Sequence, residues 1–323
     1  HGGDQDIWAE FNALTKRRGY TTTSVTISSL PLRPSQLKLT SMASGGLARL
    51  MMIGDVSAHS QQYLHYTENG SAFTLAGYRA GTCSTAGSST TVTGSSTLWS
   101  ANARIGDYFI PSGGAANRIT AVNSNTEIVV TTAVNLSAGT AYKIIHALTQ
   151  NNVCSWAAMD VSAVENLFVG DGTSANKFRF DGTDVTVVTY LPTNLIGLLV
   201  FKNYMFGLRT TTIEWSAIRD PVTWPAANTQ TVTNLGDPLR GFAVYGGAII
   251  IWTRSRLFRL IGDTFDPSNP TYIIEEIPIP KGFNFSYSRS WCLHQGLLKF
   301  LTTDGWYAYD GNAAEKISHI IQP

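Results

Sequence analysis

Apolar and polar positions alternate in short runs along this chain and rarely recur at the three-to-four-residue interval of a helix. Stretches rich in Thr, Val, Ile, Tyr, Phe and Trp are broken by Gly, Asn and Asp, the pattern of strands joined by tight turns. Only Asp6 to Lys16 reads as a short helix, ended at Gly19. Three places carry two aromatics one residue apart, or a near variant, running into a turn: Phe178-Arg179-Phe180-Asp181-Gly182, Tyr307-Ala308-Tyr309-Asp310-Gly311 and the weaker Tyr66-Thr67-Glu68-Asn69-Gly70. Alternate residues of a strand face one side, so each pair points into one layer. The Asp-Gly and Asn-Gly steps then supply the positive φ of a tight hairpin.

Each of these turns closes a longer unit made of an apolar strand, a short turn and an aromatic strand. Five such units run from Gly46 to Gly70, Val164 to Gly182, Leu198 to Ala217, Gly241 to Asp263 and Tyr287 to Gly311. Antiparallel units repeated this way predict an all-β chain, a β-propeller of about five or six blades. The repetition is broken once. From Arg79 to Ala147 the chain is Ser-, Thr- and Gly-rich, with four short strand patterns at Ile105 to Ile110, Arg118 to Val122, Glu127 to Thr132 and Ala141 to Ile145. This predicts a small β-barrel, 79–147, inserted into the first propeller hairpin, where a surface loop tolerates it. The propeller then takes 21–78 and 148–323, preceded by an N-terminal arm, 1–20. Thr21 to Ser28 and Lys316 to Ile321 are strand-like and lie outside the units, so the first and last strands are expected to share a blade and remove an exposed edge.

Composition adds little to this picture. Of 323 residues 43% are hydrophobic, enough for a sizeable core, while only 14% are charged, well below the usual quarter. So few charges favour assembly with neighbours. The net charge of +1 requires no basic face of a nucleic-acid binder, although a duplex can pass such a surface without being bound. Cys83, Cys154 and Cys292 are odd in number and far apart, which indicates neither a disulfide framework nor a CxxC metal site. Leu195 to Phe201 and Phe242 to Trp252, the longest apolar stretches, are far short of the ~20 residues of a membrane helix, so no stable membrane insertion is expected. No signal peptide opens the chain, and the His1-Gly2-Gly3 start without Met suggests a beginning downstream of the gene start.

Candidate chemistry is sparse. A glycosidase needs two carboxylates about 5–10 Å apart, and the candidates are Asp160, Asp171, Glu214, Asp220, Asp237, Glu275 and Glu276. Most sit at turns beside Gly or Pro, where Asp serves the backbone; Glu214, between Ile213 and Trp215, is the one inside an apolar strand. Six histidines show no ligand spacing, His59 and His65 being six apart. The Asp171-Gly172 and Asp181-Gly182 turns lack the dense carboxylates of a calcium loop, and there is no Gly-x-Ser-x-Gly elbow or P-loop. No catalytic residue, metal site or cofactor is therefore expected. Lys16-Arg17-Arg18 is the one basic run, readable as a solvated cluster or a contact with a phosphate or an acidic subunit. Pro267, Pro270, Pro278 and Pro280 fix φ along Thr264 to Pro280 and predict a pre-ordered arm that meets another protein. The aromatics mostly alternate within strands, as a blade core needs, although aromatics also stack on sugars.

With these residues in view, Leu198 to Gly311 resembles the β-propeller of bacteriophage tail hub, or nozzle, proteins, also called tail tubular protein B or packaged-DNA stabilisation proteins. The resemblance is carried by Phe201-Lys202-Asn203-Tyr204-Met205-Phe206-Gly207, Ile213-Glu214-Trp215-Ser216, Asp220-Pro221-Val222-Thr223-Trp224-Pro225, Trp252-Thr253-Arg254 before Leu257-Phe258-Arg259-Leu260, and Trp306 to Gly311. The run Asn12-Ala13-Leu14-Thr15-Lys16-Arg17-Arg18-Gly19-Tyr20 is similar to the segment leading into that propeller, and the insert looks like the SH3-like barrels of phage virion proteins. The resemblance implies a non-enzymatic virion protein. Its partners would be copies of itself in a ring, other tail or portal-adaptor proteins, tail fibres or a needle, and the passing double-stranded DNA. A propeller adhesin that recognises host glycans is the alternative, and a glycosidase the third.

Overall fold

The structure, a computed structural model, describes residues 32–40, 49–56, 59–68, 74–149, 154–174, 176–234, 236–266, 271–280, 283–285 and 290–318. Within them one helical turn, Trp99–Asn102, accompanies 26 strands. The first sheet is β1 (Leu32–Thr40), β2 (Arg49–Val56), β3 (His59–Glu68) and β4 (Thr74–Leu75). The strands of the insert are β5 (Thr82–Ser84), β6 (Ser88–Ser95), β7 (Tyr108–Pro111), β8 (Asn117–Ser124), β9 (Glu127–Asn135) and β10 (Tyr142–Ile145). Then come the second sheet, β11 (Ser155–Val161), β12 (Val164–Gly170), β13 (Lys177–Phe180) and β14 (Val185–Val187), and the third, β15 (Gly197–Phe201), β16 (Tyr204–Leu208), β17 (Thr212–Trp215) and β18 (Thr229–Thr231). The fourth is β19 (Gly241–Tyr245), β20 (Ala248–Trp252), β21 (Leu257–Ile261) and β22 (Ile273–Ile277). The fifth is β23 (Trp291–His294), β24 (Leu297–Thr302), β25 (Gly305–Tyr309) and β26 (Ala314–Lys316).

Each of the five sheets is a four-stranded antiparallel meander in chain order, the blade of a β-propeller, and the all-β propeller class read from the sequence is the one found. The reason lies in the second strands. β16 and β20 bury every residue, so both their faces need an apolar cover. Neighbouring blades supply it in sequence order. Met51, Ile53 and Leu64 pack with Leu167, Phe178 and Phe180 between blades one and two, and Ala157 and Phe168 pack with Leu198 and Met205 between two and three. Phe206, Leu208 and Trp215 meet Ile249, Ile251 and Phe258 between three and four. Ile250, Trp252 and Leu257 meet Phe300, Tyr307 and Tyr309 between four and five.

The expected aromatic pairs lie in these layers: Phe178, Phe180, Tyr307 and Tyr309 are all buried. Their turns are built alike. Asp181 Oδ1 accepts the backbone N–H of Thr183 and Asp184 at 2.8 Å each. Asp310 Oδ1 accepts those of Asn312 and Ala313 at 2.8 and 3.0 Å. Gly182 and Gly311 follow at φ +96° and +109°, a region open to glycine at no steric cost. The third such turn, Asn69-Gly70, lies outside the described residues.

Two expectations need correction, while a third, that Thr21 to Ser28 and Lys316 to Ile321 bring the first and last strands into one blade, falls mostly on residues outside the described ones. The barrel is not in a hairpin but inside the outer strand of blade one. Leu75 and Ala76 pair with His65 and Leu64, and the chain then leaves, returning so that Leu148 pairs with Gln62 further along β3. The two crossing strands run side by side, so close that a Cβ on Gly77 would lie 2.5 Å from the Ile144 carbonyl. Lastly, Thr264 to Pro280 is not an arm throughout, because Ile273–Ile277 forms β22 and pairs with Leu257 to Ile261.

The insert has six strands in the order β10-β7-β8-β9-β6-β5, and the Cys83–Thr140 pair, N–H to O at 2.9 and 3.1 Å, joins the two ends into a closed barrel. Trp99 at its centre donates from Nε1 to the Tyr142 hydroxyl at 2.9 Å.

Trp252 is fully buried and Leu301 on the fifth blade is 36% exposed. Trp252→Ala is expected to cost about 3–5 kcal/mol, and Leu301→Ala under about 1 kcal/mol, both read from urea unfolding. Equal costs would contradict the layered packing.

Candidate functional site

The most elaborate polar arrangement lies where the barrel meets the second blade. Asp107, 1% exposed, follows the helical turn. Its Oδ1 accepts from Arg104 Nη2 at 3.0 Å and from the Ala147 N–H at 3.2 Å. Its Oδ2 accepts the Arg104 N–H at 3.0 Å and lies 2.8 Å from His146 Nδ1. The other ring nitrogen of His146 lies 3.3 Å from the Val185 carbonyl of β14. The imidazole stacks on Phe178 of β13 at 4.8 Å and 12°, and the Arg104 guanidinium sits 4.5 Å from the same ring. Arg104 Nη1 donates to Asn176 Oδ1.

From Asn176 the network continues to Asp171, also 1% exposed. Asp171 accepts the Thr149 N–H at 2.7 Å and the Thr173 N–H and hydroxyl at 2.9 and 2.6 Å. Burial raises the carboxyl pKa of both aspartates, but the partners outweigh it. His146 and Arg104 hold Asp107 below the ordinary carboxylate value, and donors from Thr173, Asn176 and Thr149 do the same for Asp171. Further links cross the same seam: Arg79 N–H to Asp184 Oδ1 at 2.8 Å and Val185 N–H to the Gly77 carbonyl at 3.2 Å.

Chemically this is a clamp. Both ring nitrogens of His146 face acceptors, Phe178 covers a ring face, and the carboxylates are saturated with donors, so no group stands ready to take a proton from a substrate. An open cleft of about 470 Å³ borders the clamp, lined in part by Gln61, Arg104, Ile105, Arg118 and Asn176. Ile105 at its edge is 73% exposed.

The sequence-derived candidates are scattered. Glu214 accepts from Arg209 Nη1 at 2.6 Å beside a smaller cleft, about 260 Å³, with Trp224 and Asn228. Asp220 accepts the Val222 N–H at 3.1 Å. Asp237 accepts the Thr253 hydroxyl at 2.6 Å and the Arg254 N–H at 3.2 Å. Glu275 and Glu276 pair with Arg259 and Arg256, and Asp160 lies opposite Glu165 across a hairpin. Among the described residues no three metal-ligating side chains converge, and Cys83, Cys154 and Cys292 form no disulfide. Lys16, Arg17, Arg18, Pro267 and Pro270 lie outside the described residues. Pro278 and Pro280 follow β22 and are exposed. The clamp itself was missed: Asp107 and His146 are 39 residues apart, in no motif, and the signal was only an Asp inside the predicted insert and a His at its C-terminal end.

His65, on β3 of blade one, is 2% exposed, with Nδ1 3.1 Å from the Tyr63 carbonyl and no partner for Nε2 among the described residues. Burial lowers its pKa from 6.5 to about 4; the Tyr63 carbonyl opposes this and Lys143 adds to it.

Two outcomes are expected. Asp107→Ala leaves Arg104 and His146 without their carboxylate and should cost about 3–5 kcal/mol. The unfolded chain protonates His65 below its ordinary pKa of 6.5 while the folded chain resists until about 4. Stability should therefore fall by up to about 3 kcal/mol as pH drops through that window. His65→Gln should flatten this slope in urea midpoints recorded against pH.

No family model and no curated protein matches the chain. Among solved structures it is similar to the extracellular domain of a hybrid two-component system from Bacteroides thetaiotaomicron (13% identity, 90% of this chain and 33% of that one, TM-score 0.40). It is also similar to a quinoprotein alcohol dehydrogenase-like protein of the same organism (14%, 86% and 59%, TM-score 0.34) and to AztD of Citrobacter koseri (10%, 85% and 82%, TM-score 0.30). The chain thus spans a third and under two thirds of the first two, and the propeller assignment rests on its own strand topology.

Proposed function

We propose that the chain is a structural protein of a bacteriophage tail, a hub or nozzle subunit. Several copies would form a ring that continues the DNA exit channel, helps retain packaged DNA and carries fibres or a needle. The observation that carries this reading is the run of hub-like residues from Phe201 to Gly311. They are the blade builders themselves: Phe206 and Trp215 fill the layer between blades three and four, and Trp252, Leu257, Tyr307 and Tyr309 the next. The described chemistry agrees with a mechanical role. The charged groups of the junction are engaged in holding the barrel to the second blade, which fixes it at two chain crossings and a buried ionic cluster. The channel would be passed by duplex DNA without specific binding, as a net charge of +1 allows.

A propeller adhesin is the second reading, favoured by the cleft beside Ile105 and Arg118, which opens next to barrel loops.

Electron microscopy of the purified chain and of tail particles separates the two. A ring with an axial opening, located at the end of a tail, is expected, together with no release of reducing sugar from a polysaccharide panel. Retention on a defined host glycan by isolated subunits would favour the adhesin, and turnover abolished by Glu214→Gln would overturn both.

A further inference from the structure

Blades four and five have the same hairpin at their centre. In the fourth, Trp252 pairs with Leu257 across four turn residues, and Leu257 with Ile277 of the outer strand. In the fifth, Leu301 pairs with Trp306 across four, and the Ile317 N–H bonds to the Trp306 carbonyl at 2.8 Å. The turns share a hydrogen bond: Thr253 Oγ1 accepts the Ser255 N–H at 3.2 Å, and Thr302 Oγ1 the Asp304 N–H at 3.1 Å. Leu301, Trp306 and Ile317 are therefore the counterparts of Trp252, Leu257 and Ile277, on the same side of the sheet.

Their surroundings differ completely. Trp252, Leu257 and Ile277 are 0%, 0% and 4% exposed beneath blade five, whereas Leu301, Trp306 and Ile317 are 36%, 41% and 44% exposed. The rung beside them differs in charge too. In blade four Glu275 pairs with Arg259 directly opposite. In blade five Ala308 stands in the place of Arg259, between Lys299 on one strand and Glu315 on the other. Neither Lys299 nor Glu315 has an ion pair among the described residues.

We propose that this face of blade five is a docking surface for the same face of a second copy of the chain. An isologous contact must be self-complementary, and this one is. A twofold axis along β25 lays β24 of one chain over β26 of the other. Lys299 then meets Glu315, Leu301 meets Ile317, and the two Trp306 rings meet each other. Sheets packed face to face in this way interdigitate their side chains. The three strands that oppose one another, about 4.8 Å apart and three to six residues long, present a face of roughly 250 Å². Two such faces fall below the roughly 1,000 Å² of a stable interface, so the pair is weak and concentration-dependent. A twofold contact closes on two chains, so it stands apart from any ring contact and does not rest on the tail reading.

Analytical ultracentrifugation of the full chain over a broad concentration range tests this. The mass should rise from 35.0 kDa toward twice that value, and Trp306→Lys should hold it at the lower one with an unchanged circular dichroism spectrum. Lys299→Glu and Glu315→Lys should each weaken pairing about tenfold, because two like-charge contacts replace two ion pairs. The two changes combined in one chain should restore it. A chain that stays monomeric throughout, pairing unaffected by Trp306→Lys, or a double charge exchange that fails to restore it would each overturn the proposal. If the face is instead covered by residues 1–31 or by another protein, the first of these results is the one obtained.

Discussion

A β-sheet that is apolar on both faces cannot stand alone in water, and this chain contains several in a row. β16 and β20 have no exposed residue, and burying a large aliphatic or aromatic side chain is worth about 1.5–3 kcal/mol. Each blade gains that only when its neighbour is in place. The stacking order, the short connections and the Asp-Gly turns that start the outer strands all serve to bring one apolar face onto the next. The energetics are those of a repeat protein, in which each unit depends on its neighbours.

The barrel is attached by a different logic. One core cluster, with Trp99, Phe109 and Tyr142, is drawn from the insert alone, and a second, small one joins Tyr63 of blade one to Tyr108, Ile110 and Ile145 of the barrel. Position comes from entering and leaving within one strand, from the close approach at Gly77, and from a buried cluster in which Arg104, Asp107 and His146 satisfy one another. Such a cluster contributes little net stability, since desolvation offsets attraction. It is specific about geometry, because any other placement would leave a buried charge without its partner.

Much of the propeller was legible because aromatic alternation and Asp-Gly turns are local signals. Phe178 and Phe180, or Tyr307 and Tyr309, announce their layer and their turn within five residues. β5 and β6 were not legible. They are Ser- and Thr-rich, and β6 contributes only Val92 to the core, since on a small barrel the outward side of a strand needs no apolar residue. β22 was obscured by the prolines around it, although those flank the strand and spare its ladder. The point of insertion and the Asp107–His146 contact depend on long-range pairing, for which alternation carries no information.

The claim that neighbouring faces hold the blades together is tested most directly by native-state hydrogen exchange resolved by strand. Amides of β12, β16 and β20 should exchange only with global unfolding and at one common free energy, while β23 and β26 of the fifth blade, covered on one side, open at lower cost. Five blades that each exchange independently, or a fifth blade protected as strongly as the third and fourth in dilute solution, would contradict it.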